Sequence, residues 1–150
     1  MESAEKTTDA TAVAVAQALM AREGTAKAWG LILEEVREGY ARVSMNVRED
    51  MLNGHRTAHG GMIFALADSA FAYACNSRNV ATVAQAATIH FLSPAHAGEI
   101  LIAEARELML AGRSGSYAVE VRTADGRPVA SFHGLSRSGD SAVIGQERIA

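Results

Sequence analysis

The stretch Asn53–Asn76, NGHRTAHGGMIFALADSAFAYACN, constrains this chain more than any other. It opens as a polar, glycine-rich turn and then runs from Gly61 to Cys75 without a proline, a lysine or an arginine. That pattern reads as a helix, with Thr57 as its expected cap. At about 100° per residue the apolar side chains cover nearly the whole circumference, so the helix is either buried on most sides or spans a membrane. The run is shorter than the roughly 20 apolar residues a span needs, and it carries a charge, Asp68. A buried central helix is the expectation.

Asp68 is the anomaly on that helix. Its neighbours three and four positions away are Phe64, Ala65, Phe71 and Ala72, and none is a cation or a strong donor. A buried carboxylate without a partner is costly. It therefore implies a chemical use, a distant cation, a thin exposed strip shared with Ser69, or a subunit interface. The preceding turn favours a use. Gly60 and Gly61 stand where the first backbone N–H groups of a helix lack partners, and such groups attract negative charge with the help of the helix dipole. Glycine also lets a substrate carbonyl come close to the backbone. A helix start that can hold an oxyanion and a carboxylate two turns later form a hydrolase pair. Eight residues at ~1.5 Å each separate Gly60 from Asp68 by about 12 Å, too far to act on one carbonyl carbon. The spacing points to a dimer with two composite sites, the Asp68 of one protomer acting on substrate held by Gly60 of the other.

Composition removes several classes. The chain has 150 residues, 49% hydrophobic content and a net charge of −3 with interspersed signs. One domain with a proper core is expected, and no basic patch points to nucleic acid. The single Cys75 lies inside the helix pattern, which leaves no disulfide framework and makes it a core thiol. His55 and His59 straddle a turn and lack a third ligand, so no metal site is expected. No segment reads as a signal peptide, and the expectation is a soluble cytoplasmic protein without membrane contact.

In chain order, residues 1 to 9 are polar and expected to be unstructured. Residues 10–22 read as a short helix with Asp9 as a cap candidate, ended by Gly24. Strand-like stretches follow at 28–35 and 40–47. After the central helix come four more, at 80–92, 99–110, 116–123 and 129–137, with a two-residue hairpin signal at Asp125-Gly126. Residues 138–150 read as a disordered tail. A long apolar helix followed by meandering strands is an α+β arrangement.

The string MLNGH, followed by HGGMIFALADSAFAYACNS, resembles the PaaI-type acyl-CoA thioesterases of the hotdog fold. The resemblance spans roughly residues 15 to 137. The H-G-G-x-x-x-x-x-x-D pattern is specific when Asn-Gly-His precedes it, as here. It implies a single hotdog domain over residues 1–150, with a long central helix wrapped by an antiparallel sheet. It also implies a homodimer joined through edge strands and, as in many members, dimers paired into a homotetramer.

Carried over residue by residue, the resemblance implies that the Gly60 N–H holds the thioester carbonyl, and that Asp68 of the partner subunit activates water or attacks directly. Asn53 positions water or the thioester. His59 orients the loop or polarises the site, whereas His55 suits a structural turn. Gly61 adjoins the carbonyl site at the helix start. Arg113 and Ser114 occupy the place of an element that holds coenzyme A, and Arg137 is a second cation for the same handle. Gln85 stands where relatives carry a small hydroxyl residue near the thioester. Phe71, with Phe64, Leu66 and Tyr73, is either acyl-pocket lining or plain core.

The implied substrate is phenylacetyl-CoA, hydroxyphenylacetyl-CoA or a medium-chain acyl-CoA, as in phenylacetate degradation. Coenzyme A is part of substrate and product, so no cofactor is implied. The alternative is a non-catalytic acyl-CoA-binding hotdog protein, which keeps the pocket without needing Asp68. Such regulators usually add a DNA-binding segment, and the first 25 residues are too short and too little basic for one. A hotdog hydratase or dehydratase needs an acid–base His or Asp–His pair that this spacing disfavours.

Overall fold

The computed structural model describes residues 2–145, with side chains from residue 9 onward. The elements are α1 (Glu2–Arg22), α2 (Gly24–Trp29), β1 (Ile32–Arg37), β2 (Tyr40–Asn46), α3 (Gly60–Cys75), β3 (Thr82–Phe91), β4 (Ile100–Ala111), β5 (Ser114–Thr123) and β6 (Pro128–Ser138). The six strands form one antiparallel sheet in the order β1-β2-β4-β5-β6-β3, and α3 packs across its inner face. This is the α+β hotdog arrangement expected from the sequence.

Period-two patterning decides which face of each strand is covered. Tyr117, Val119 and Val121 of β5 are buried, as are Leu101, Ala103 and Ala105 of β4. Alanine is frequent on both sides of the contact. Ala67, Ala70 and Ala74 of α3 are fully buried against these strands. Gly134 of β6 extends the same logic, because a Cβ there would lie 2.7 Å from Cζ of Phe71. Phe71 has no room to give way. It is 1% exposed, with the Tyr117 ring centroid at 5.3 Å and that of Phe132 at 5.9 Å. Gly134→Ala is therefore expected to destabilise the fold by about 1–3 kcal/mol through overpacking. Gly54→Ala, where the added atom meets nothing within 4 Å, is expected to leave the thermal midpoint almost unchanged. Paired thermal melts of the two variants check this.

The N-terminal region differs from the expectation. Helix α1 begins at Glu2 rather than near residue 10, so the polar first residues are helical. Gly24 does not stop the helical region but opens α2, which takes up the start of the stretch read as a strand from residue 28. Gly30 ends α2 in the left-handed conformation (φ 64°), and its N–H reaches back to the carbonyls of Ala26 and Lys27. Strand β1 can begin only after that cap.

The tail also differs. Ser138 belongs to β6, and residues 139–145 are tied down where they are described. Asn79, itself at φ 62°, accepts the N–H groups of Val143 and Ile144 on Oδ1 at 3.0 and 2.9 Å. The Ala81 N–H donates to the Ser141 carbonyl at 2.8 Å. The remainder of the expected disordered tail, residues 146–150, lies outside the described residues.

Strand β3 is an edge with an unusual exposure pattern. Residues 83 to 88 are all exposed, on both faces. Ala84 and Ala87 lie on the inner face, opposite Ser136 and Gly134 of β6, yet α3 does not cover them. A long edge strand that is apolar and open on both faces is a template for pairing with another chain.

Candidate active site

The loop before α3 is organised by Asn53. Its backbone N–H donates to the Thr57 carbonyl at 2.8 Å. Its side-chain Oδ1 accepts from the His55 N–H at 2.9 Å and the Thr57 N–H at 3.2 Å. Its Nδ2 donates to Thr57 Oγ1 at 3.1 Å. These bonds close a compact turn in which Arg56 takes a left-handed φ of 64°. Thr57 is therefore committed to Asn53 and does not cap the helix. His59 is the cap, its Nδ1 accepting the Gly61 N–H at 2.9 Å. The loop is strapped to the rest of the fold by the His59 N–H to the Met51 carbonyl and the Ala58 N–H to the Ala95 carbonyl, both at 2.8 Å.

The first-turn donors of α3 are then nearly all used. Met62 and Ile63 N–H groups go to the His59 carbonyl, and Gly61 N–H goes to the His59 ring. The Gly60 N–H has no partner among the described residues. It borders an open cleft of about 370 Å³ lined by Asn53, Thr57, Gly60, Ile63, Phe91 and Ser93, among others. Gly60, Asn53 and the capping His59 thus meet at one place. Gly61 is adjacent, but its donor is occupied.

Asp68 lies two turns along α3 and does not line this cleft. It is half-buried, and no hydrogen bond or salt bridge reaches it among the described residues. Burial pushes its carboxyl above the usual 3.8. Cys75, further along the helix, has its thiol pushed up to about 12, mainly by burial and secondarily by the Asp68 charge. That thiol is an inert core group.

The remaining candidates are dispersed. Phe71 is sealed in the aromatic cluster described above, away from the cleft. Gln85 sits at a bulge in β3, between Ala84 and Ala86, exposed on the free edge. Arg113, Ser114 and Arg137 are brought together by the pairing of β5 with β6, in which Ser114 faces Arg137. Arg113 is ion-paired with Asp140. This group is far from Gly60 within one protomer. Arg137 is seven residues along β6 from Ala130, the partner of Phe91, or about 23 Å at ~3.3 Å per residue. Phe91, Leu92 and Ser93 form a wall of the cleft that the sequence does not reveal, since the apolar pair ahead of Ser93-Pro94 reads only as a strand end.

Among the described residues no group of three His, Cys, Asp or Glu side chains is placed to hold a metal ion. No helix there is long and apolar enough to cross a membrane.

Among the described residues the hotdog sheet thus carries a central helix whose first N–H is open and whose carboxylate has no partner. Residues 55–130 match the family model of the Thioesterase superfamily. The acyl-coenzyme A thioesterase PaaI of Escherichia coli (strain K12) is 42% identical over 131 residues, covering 87% of this chain and 94% of that protein. The solved structure of the E. coli PaaI protein from the phenylacetic acid degradation operon superposes with a TM-score of 0.88 at 41% identity, covering 89% of this chain and 97% of that one. A variant of the phenylacetic acid degradation protein PaaI from Thermus thermophilus gives a TM-score of 0.74 at 40% identity, over 77% of this chain and 98% of that one. The chain belongs to the thioesterase superfamily, as a PaaI-type hotdog member and a hydrolase of thioester bonds.

Proposed function

We infer that the protein hydrolyses the thioester of an acyl-CoA, with phenylacetyl-CoA and hydroxylated phenylacetyl-CoA as the first substrates and medium-chain acyl-CoAs next. The site is shared between protomers. The substrate carbonyl accepts a hydrogen bond from the Gly60 N–H of one protomer, and Asp68 of the partner subunit supplies the base or the nucleophile. As base, Asp68 takes a proton from water, whose oxygen attacks the carbonyl carbon. The Gly60 N–H stabilises the oxyanion, and collapse breaks the C–S bond, the thiolate regaining the proton. As nucleophile, the Asp68 carboxylate attacks the carbonyl carbon and the C–S bond breaks, releasing the coenzyme A thiolate and leaving a mixed anhydride; water then hydrolyses the anhydride to the free acid and the Asp68 carboxylate, one water proton passing to the thiolate. Neither route needs a cofactor. Asn53 and His59 hold the loop that presents Gly60.

The observation that carries this reading is the pair of unmet needs on α3, an open N–H at its start and an unpaired, half-buried carboxylate about 12 Å away at ~1.5 Å per residue. A second copy paired along the open β3 edge supplies a way to bring them together. An exposed apolar patch on the outer face at the β4–β5 turn, with Leu108 at 57% and Met109 at 71% exposed, suits a further contact between dimers. Arg113, Ser114 and Arg137 are offered as the cationic and polar handle for coenzyme A, and Gln85 as a contact near the thioester.

Free-thiol release from phenylacetyl-CoA, hydroxylated phenylacetyl-CoA, benzoyl-CoA and straight-chain acyl-CoAs tests the reading. Release is expected, fastest with the aryl-acetyl thioesters. Binding of these compounds without release of thiol from any of them would favour the non-catalytic acyl-CoA-binding alternative.

A further inference from the structure

Three of the four helix residues considered for the acyl pocket are closed off. Leu66, Phe71 and Tyr73 are at most 1% exposed. The fourth, Phe64, is partly buried and packs on Phe132 with ring centroids 5.4 Å apart. None of the four lines the cleft beside Gly60, so an acyl group that lies in that cleft with its carbonyl at Gly60 meets other side chains. Around the cleft Ile63 is only 4% exposed, whereas Phe91 is 54% and Leu92 61% exposed.

Phe91 is set against the reacting position itself. The place a Cβ would take on Gly60 is 3.0 Å from Cζ of the Phe91 ring. The backbone that carries the ring is held firmly. Phe91 pairs with Ala130 of β6, and the Leu92 N–H donates to the Val129 carbonyl at 2.8 Å. Ala95 is strapped to Ala58, two residues before Gly60. A large aromatic surface is thus kept open to solvent beside the one helix-start donor that lacks a partner among the described residues.

We propose that Phe91 sets the acyl preference of the enzyme, its ring forming the face on which the acyl group packs while the Gly60 N–H holds the carbonyl. Flat aryl groups gain more from that face than straight alkyl chains, because aromatic pairs interact favourably beyond the area they bury. The amide-bearing arm of the coenzyme is a poor match for the same wall, since its polar groups would be desolvated without partners. The proposal rests on the thioesterase reading above.

The test compares wild type, Phe91→Leu and Phe91→Ala on phenylacetyl-CoA and hexanoyl-CoA, with size-exclusion elution as a control of assembly. Wild type is expected to prefer phenylacetyl-CoA. Phe91→Leu should lower the phenylacetyl-to-hexanoyl ratio of kcat/KM by about three- to tenfold, chiefly through the KM for the aryl substrate, and elute as wild type does. An unchanged ratio overturns the proposal. An equal rise in KM for both substrates also overturns it, by placing the ring on the shared coenzyme arm. A changed elution volume would make Phe91 an interface residue and overturn it as well. Failure of the underlying thioesterase reading is distinct, since wild type itself would then release no thiol from either substrate, and the proposal would fall with it.

Discussion

Asp68→Asn is expected to lower turnover by about 100- to 10,000-fold, the range a positioned base or nucleophile commands, while the chain folds normally. The substitution keeps the shape of the side chain and removes its charge and basicity. Because burial raises the Asp68 carboxyl above the usual 3.8, the acid limb of the wild-type kcat profile should lie above the ordinary carboxylate range. Activity falls as pH drops through that raised value, because the proton-bearing carboxyl neither accepts a proton nor attacks. Stability runs the other way. A carboxyl whose folded-state pKa is raised contributes stability that is fully present below its unfolded value and is lost as pH rises through the folded one. Wild type therefore carries an uncompensated charge at neutral pH, and Asp68→Asn should melt at a higher temperature there. The difference should vanish in acid, below the unfolded value. An inactive variant that is more stable at pH 7 and equal at low pH, seen in kinetics and melts together, identifies Asp68 as a functional group held at a cost. Near-wild-type turnover would remove it from the mechanism.

Gly60→Pro is expected to lower kcat by about 100- to 1,000-fold, the effect of removing one oxyanion donor. The substitution suits this position otherwise. Gly60 is the first residue of α3, where proline is favoured because no intrahelical bond is lost. His59 before it has φ −60° and ψ 133°, the extended conformation that a residue preceding proline adopts. Gly60→Ala is the control. It meets the same contact with the half-exposed Phe91 ring but keeps the N–H. Alanine retaining most of the activity that proline loses would assign the effect to the donor, whereas equal losses would assign it to crowding against Phe91.

The legible parts of this chain were those governed by local pattern. The unbroken apolar run marked α3, alternation marked β5, and Asp125-Gly126 marked the turn between β5 and β6. The rise of a helix was enough to separate Gly60 from Asp68. What escaped depended on partners distant in sequence or on competition between side chains. Thr57 has the chemistry of a cap, but Asn53 occupies it and His59 takes its place. Asn79 holds the tail through a left-handed backbone that no propensity favours. A helix apolar all round does not announce which face is accessible, so Phe71 could be weighed as pocket or core, and only the aromatic cluster around it places it inside. Phe91 reads in the sequence only as a strand end, which gives no sign of what it packs against.

The proposal that each site is shared between protomers is tested directly by mixing two inactive variants. Gly60→Pro and Asp68→Asn chains, each inactive alone, are co-refolded in equal amounts and assayed for thiol release. If each site draws Gly60 from one protomer and Asp68 from the other, about half of the dimers are mixed and each mixed dimer holds one site with both native groups, so about a quarter of the wild-type rate should return. A mixture that demonstrably contains mixed dimers yet stays inactive would place both groups of each site in a single chain and contradict the shared site.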